Sequence, residues 1–211
     1  MTSAAMADPV TQDAWRIFGT EPVRHAHPAW LAASLSPGVT LGICARLSAE
    51  PRFHDRLSAQ LAAHAALPPW GEIEPDNPLD REIALVSRDA LEELVTAAGA
   101  VIWADALARR VRREEAAAVR DRLGEDVVRF ALANRELAIP GRPVEDIDEL
   151  CGQIGEDGWR CYAAWCAAQP PAIGKRAVMK CDPVRVSATL PEPLRKAGPA
   201  IIRRAAQRTA A

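Results

Sequence analysis

The residues able to do chemistry in this chain are few and scattered. Five cysteines (Cys44, Cys151, Cys161, Cys166, Cys181) and four histidines (His25, His27, His54, His64) are the candidate soft metal ligands. A structural zinc site presents ligands in pairs two to four residues apart, so that one turn brings both to the metal. No CxxC occurs, Cys161 and Cys166 lie five apart, and His25-Ala-His27 runs directly into Pro28 at a helix lead-in. Cys151 and Cys166 fall on apolar stripes and read as small core residues. Nucleophilic catalysis needs a thiol or hydroxyl with a base in reach. Neither GxSxG nor a cysteine-enzyme signature is present, and every histidine lies within the first 64 residues. Neither GxxxxGK[ST] nor GxGxxG appears. Gly152, Gly155 and Gly158 in CGQIGEDGW follow no strand, and Glu156 and Asp157 would repel phosphate, so the segment reads as a helix–helix connection. No metal, cofactor or catalytic residue is assigned.

The remaining candidates are contact residues. Glu92-Glu93, Glu114-Glu115 and Glu125-Asp126 sit near presumed helix starts, where carboxylates favour the positive dipole end. Arg109-Arg110-Val111-Arg112-Arg113 is basic, but two glutamates follow at once and no aromatic interleaves, which favours a helix end or protein contact over phosphate binding. Of the six tryptophans, Trp30, Trp103, Trp159 and Trp165 fall on helical patterns. Trp15 and Trp70 lie in segments that read as irregular and are candidate interface anchors.

These residues must be positioned by helices. Across 211 residues, 49% are apolar and 26% charged, alanine is abundant and β-branched and aromatic residues are scarce. That composition predicts an all-α, single compact multi-helix domain with proline-rich connections. Net charge is −2, so no general attraction to nucleic acid or anionic lipid follows. The N-terminus lacks the pattern of a signal peptide, apolar stretches such as Ala97 to Ala104 are too short to span a bilayer, and the cysteines read as reduced, which together predict a cytoplasmic protein without membrane insertion.

Breaks at Leu67 to Pro78, at Ile139 to Pro143 and at Gln169-Pro170-Pro171 punctuate the chain. Helices are expected over His27 to Leu35 and Pro51 to Leu67. Asp89 and Glu92 resemble a capping box opening a stripe of Leu91, Leu94, Val95, Ala98, Ile102, Ala106 and Leu107, within which Gly99 either admits a neighbouring helix or breaks this one. Glu114 to Leu123 reads as a short helix ended by Gly124. Val127, Phe130, Ala131 and Leu137 mark another, followed by stripes through Ile147–Ile154 and Trp159–Cys166. Val184 to Leu190 is the one candidate strand. The division is an N-terminal helical part with its linker (1–78), a central helical core (79–183) and a basic C-terminal tail (184–211). From Lys175 onward nine basic residues face two acidic ones, so this end carries +7 and residues 1–174 carry −9.

The order of these segments resembles a known family. Leu94 to Val111, LVTAAGAVIWADALARRV, is similar to the central helical signature of the SctK family of type III secretion proteins, the YscK and NolU types, on Gly99, Val101, Ile102, Asp105, Ala106, Leu107, Arg109 and Val111. HPAWL at His27 to Leu31, GEDVVRFALANRELAIP at Gly124 to Pro140, and the segment Gly158 to Pro183 agree in the same order. Ala108 departs from a common arginine and Trp103 from a smaller or polar residue. The resemblance implies a non-enzymatic, cytoplasmic adaptor at the inner-membrane base of an injectisome, linking the ring protein SctD to the SctQ pods. It takes no nucleic acid as partner. Asp105, Arg109, Lys175 and Arg176 are the candidate partner contacts. The competing readings are a helical Cys/His-dependent enzyme and a nucleic-acid or membrane-surface binder using the basic end.

Overall fold

A computed structural model describes residues 9–209 except 72, 141–143, 145, 187 and 188. Its helices are α1 (Pro9–Thr20), α2 (Pro28–Ser34), α3 (Leu41–Ser48), α4 (His54–His64), α5 (Pro78–Leu85), α6 (Arg88–Ile102) and α7 (Ala104–Ala108). They continue as α8 (Arg113–Leu123), α9 (Glu125–Ala133), α10 (Ile147–Ala168), α11 (Pro171–Val178), α12 (Pro183–Val186) and α13 (Glu192–Thr209). The described residues contain no strand, and the fold is all-α as composition predicts. The candidate strand is replaced by α12 over 183–186, while Ser187 and Ala188 lie outside the described residues, as do Gly141 to Pro143 of the second break. Pro183 opens that short helix, a position at which its missing N–H would be unpaired anyway.

The chain forms two compact units, one of residues 1–85 with 170–183, the other of 86–169 with 184–211. In the first, α1 places Trp15 and Phe18 on one face, stacked at 5.3 Å, and Trp70 packs edge-on against both. The Trp70 ring lies flat on Gly19, where any Cβ would come within 1.9 Å of it. Val23, Leu31, Cys44, Leu57, Leu61 and Met179 form a second apolar cluster. The returning segment is stitched in by backbone and indole bonds: His27 N–H donates to the Met179 carbonyl at 2.7 Å, and Trp30 Nε1 to the Cys181 carbonyl at 2.9 Å. Pro28 at the first position and the His27 ring, accepting from Ala29 N–H, start α2.

In the second unit α6, α10 and α13 pack on one another, burying Leu91, Leu94 and Val95, Leu150, Ile154 and Trp165, and Ile201, Ile202 and Ala205. Ser87, rather than Asp89, caps α6, its hydroxyl accepting from Ala90 N–H, because the helix begins one residue before the acid. The stripe from Leu91 to Leu107 is interrupted at Trp103, whose Nε1 donates to Asp157 at 2.9 Å. α8 ends at Gly124, where φ is +86°, a backbone value that favours glycine. Leu137 falls in a 3-10 turn after α9 instead of inside it.

CGQIGEDGW is a correction: it lies inside the single 22-residue α10, not between two helices. The reason is the crossing with α6. A Cβ on Gly99 would stand 1.9 Å from the Ile154 carbonyl oxygen, and one on Gly158 would stand 2.0 Å from that of Val95. Backbone touches backbone there, and glycine is the residue that permits it. Gly198 plays a milder version of this part in α13, with Ala164 Cβ 2.8 Å from where its own would be. The basic C-terminal segment is likewise no peripheral tail: α13 is a core helix carrying its cations on the outer side.

Gly158→Ala and Gly99→Ala are each expected to lose about 2–3 kcal/mol in urea unfolding, although alanine is the better helix former. Gly152→Ala in the same helix, with nothing within 4 Å of its Cβ, is expected to gain up to about 1 kcal/mol. Equal effects at positions 152 and 158 would contradict the crossing as the reason for glycine.

Candidate interaction site

α7 and the loop after it bring Asp105, Arg109 and the other arginines of the basic stretch into one neighbourhood. Asp105 pairs with Arg135 at 2.5 Å across partly exposed side chains. Arg109 follows the last turn of α7, exposed, with its backbone N–H bonded to the Ala106 carbonyl at 3.3 Å. Arg110 turns inward and donates to the Val144 carbonyl. Arg112 reaches Glu115 only at 3.9 Å, and Arg113 is exposed at the start of α8. Among these cations Val111 stands 84% exposed. Val111 is therefore an exposed aliphatic side chain in a stretch whose Arg109, Arg112 and Arg113 are exposed as well.

Lys175 and Arg176 belong to the other unit and differ from each other. Lys175 is exposed and its Nζ donates to the Ala66 carbonyl at 2.9 Å. Arg176 is buried: Nε donates to the Gly19 carbonyl at 2.7 Å, Nη1 to that of Ala172 at 2.9 Å, and Nη2 to that of Pro68 at 3.1 Å. Its guanidinium also lies 5.1 Å from the Trp70 ring centre. Burial pushes its pKa below the ordinary arginine range, and the three carbonyls hold the charged group in place. It clamps the loop carrying Trp70 to α1. Sequence spacing gives no sign of this, since Gly19 and Pro68 lie over a hundred residues away.

Trp15, read as irregular, sits on α1 and is 6% exposed, its indole donating to the Ile73 carbonyl at 3.1 Å. The helix forms because Trp15 and Phe18 share a face three residues apart. The basic end is divided as well. Lys180 is buried and donates to the Ala84 carbonyl at 2.5 Å, Arg195 and Lys196 pair with Glu192, and Arg208 lies over the Phe130 ring.

His25 and the thiols bear on catalysis. The His25 ring stacks on Phe18 at 4.8 Å, and its Nε2 is shut from solvent without a hydrogen-bond partner. Burial, with the Lys180 charge adding to it, pushes its pKa down to about 3. Burial pushes the Cys161 thiol up to about 12, and raises Cys44 and Cys151 as well. A thiol nucleophile needs the opposite shift. Among the described residues no group of three or more His, Cys, Asp or Glu side chains is arranged to hold a metal. None of the described helices is long and apolar enough to cross a membrane.

These features define an all-helical protein whose uncommitted chemistry is charged surface. The family model described as "YOP proteins translocation protein K (YscK)" matches residues 22–203. The chain belongs to that family, and is thus a type III secretion-related protein. It is similar to the protein titled "Nodulation protein NolU" of Rhizobium fredii, 27% identical over 169 residues, covering 79% of this chain and 74% of that protein. The same identity and coverage hold for the protein of that title from Sinorhizobium fredii (strain NBRC 101917 / NGR234). The comparison with solved structures returned no match.

In thiol titration at neutral pH, Cys151, partly exposed, is expected to react slowly, with Cys44, Cys161, Cys166 and Cys181 reacting only after denaturation. A fast-reacting buried thiol would reopen the enzyme reading. With a folded-state pKa near 3 against about 6.5 unfolded, His25 takes up its proton preferentially in the unfolded chain. Its contribution is therefore complete above pH 6.5 and is lost as pH falls toward 3. His25→Phe is expected to flatten that part of the stability–pH curve, read by tryptophan fluorescence; an unchanged curve would contradict it.

Proposed function

We propose that this chain is a non-enzymatic adaptor of the type III secretion sorting platform. It works in the cytoplasm against the inner-membrane base of the apparatus and links the cytoplasmic domain of the ring protein SctD to the SctQ pods. The observation that carries this reading is the family match, which extends through residues 22–203 and so takes in most of each compact unit. The surface chemistry agrees with it. Asp105, Arg109 and the exposed Val111 offer a mixed charged and apolar contact on one unit, and Lys175 a cation on the other. Charged rims of this kind govern encounter rate and partner choice more than affinity. The raised pKa of the buried Cys161 and the lowered pKa of the sealed His25 count against those two groups as a thiol–imidazole pair.

Purified full-length chain is expected to bind the SctD cytoplasmic domain and SctQ in pull-downs, and binding to neither would overturn the adaptor reading. Asp105→Arg and Arg109→Glu are expected to weaken one of these complexes by about tenfold while the circular dichroism stays that of the wild type, since an exposed ion pair contributes less than about 1 kcal/mol. Lys175→Glu tests the other unit in the same way. Arg176→Glu is expected to unfold its unit instead, because three carbonyls would lose their donors.

A further inference from the structure

α10 carries glycine at 152, 155 and 158, each weakening the helix relative to alanine. The α6 crossing accounts for Gly158. It does not account for Gly152 and Gly155, since a Cβ on either would meet no atom within 4 Å. Both instead line an open groove of about 510 Å³ in the second unit. Trp159 of the same helix and Val184 and Arg185 of α12 line it too, with Glu156 and Arg160.

The lining is apolar where it matters and positive where it is uncommitted. Val184 is 80% exposed, an aliphatic side chain left in water beside a tryptophan. Arg160 is occupied, bonded to Asp157 at 2.7 Å and to Glu156 at 3.3 Å. Arg185 is held 5.2 Å over the Trp159 ring and has no ion pair among the described residues. The cation–π contact keeps the guanidinium near the groove, and its N–H donors are open to a carboxylate.

We propose that this groove docks an acidic, apolar-faced segment of a partner protein lying along α10. Its apolar side chains would meet the bare backbone at Gly152 and Gly155 and the faces of Trp159 and Val184, and its carboxylate would pair with Arg185. A single uncommitted cation beside Glu156 does not suit a polyphosphate or an anionic lipid surface, each of which calls for a cluster of cations. A small anion would leave the apolar lining unused. The inference rests on the adaptor reading for the identity of the protein that supplies the segment, and on the groove for its chemistry.

The test replaces Val184 with the photo-crosslinking residue p-benzoylphenylalanine in the full chain, in cells that assemble the secretion apparatus. The expected result is a crosslink to an acidic segment of one apparatus component, mapped by mass spectrometry. It should be lost in Gly155→Leu and in Arg185→Glu, and restored to Arg185→Glu by a lysine in place of the mapped carboxylate. In pull-downs the same two variants should weaken binding of that component about tenfold or more. Gly155→Leu should melt at or above the wild-type temperature, separating loss of docking from loss of folding; if it melts lower, the exposed Arg185→Glu decides. Absence of a crosslink, a crosslink to lipid or nucleic acid, or one indifferent to both variants overturns the proposal. Negative pull-downs with SctD and SctQ beside a mapped crosslink to another protein would remove the adaptor reading and leave the groove standing. Positive pull-downs unaffected by either variant, with no crosslink, would do the reverse.

Discussion

Two helices cross at a distance that leaves no room for a side chain at either centre, and the second compact unit is arranged around that crossing. Gly99 of α6 and Gly158 of α10 each face the carbonyl oxygen four residues before the other, Ile154 and Val95. Contact this close brings the flanking side chains into full engagement, which is why Leu94, Val95 and Ala98 on one helix and Ile154, Cys161 and Tyr162 on the other are almost wholly removed from water. Close packing of this density makes the loss of even one fitting position felt. α13 then lies against both, with Gly198 again admitting the neighbouring helix. Trp103, at the end of α6, is tied to Asp157 of α10, so the register of the pair is fixed by a hydrogen bond as well as by shape.

The first unit solves a different problem. It is built from short helices and proline-rich connections, which expose backbone carbonyls that no helix ladder satisfies. Buried cations answer that need: Arg176 serves the carbonyls of Gly19 and Pro68, and Lys180 serves that of Ala84. An aromatic ring lies against each cation, Trp70 at Arg176 and Phe18 at Lys180, and burial, with the Lys180 charge adding to it, keeps His25 neutral. The outcome for function is a sorting of cations that look alike in the sequence. Arg176 and Lys180 are committed to the fold, while Arg109, Arg113 and Arg185 are exposed.

Much of the helical pattern is legible in the residues. Apolar stripes at three- and four-residue spacing identify α4, α6, α9 and both halves of α10, and Gln169-Pro170-Pro171 marks the end of α10 at Ala168. The errors are equally physical. Three glycines in seven residues weaken a helix locally, so the middle of α10 reads as a connection until the neighbouring backbone that requires Gly158 is in view. Trp15 reads as irregular because its partners, Phe18 and Trp70, are three and fifty-five residues away, and the second carries most of the meaning. The candidate contacts divide in the same manner: residue type alone puts Lys175 and Arg176 in one class, and burial separates them.

Local propensity and pattern thus settled the all-α class, most helix positions and the family, because these depend on residue type and spacing along the chain. Tertiary structure decided what the exceptional residues are for. Whether a glycine marks a break, a crossing or a groove, and whether an arginine is a clamp or a contact, depends on atoms brought near it from distant sequence. That is information no window along the chain contains, since burial and hydrogen bonding are properties of the packed whole.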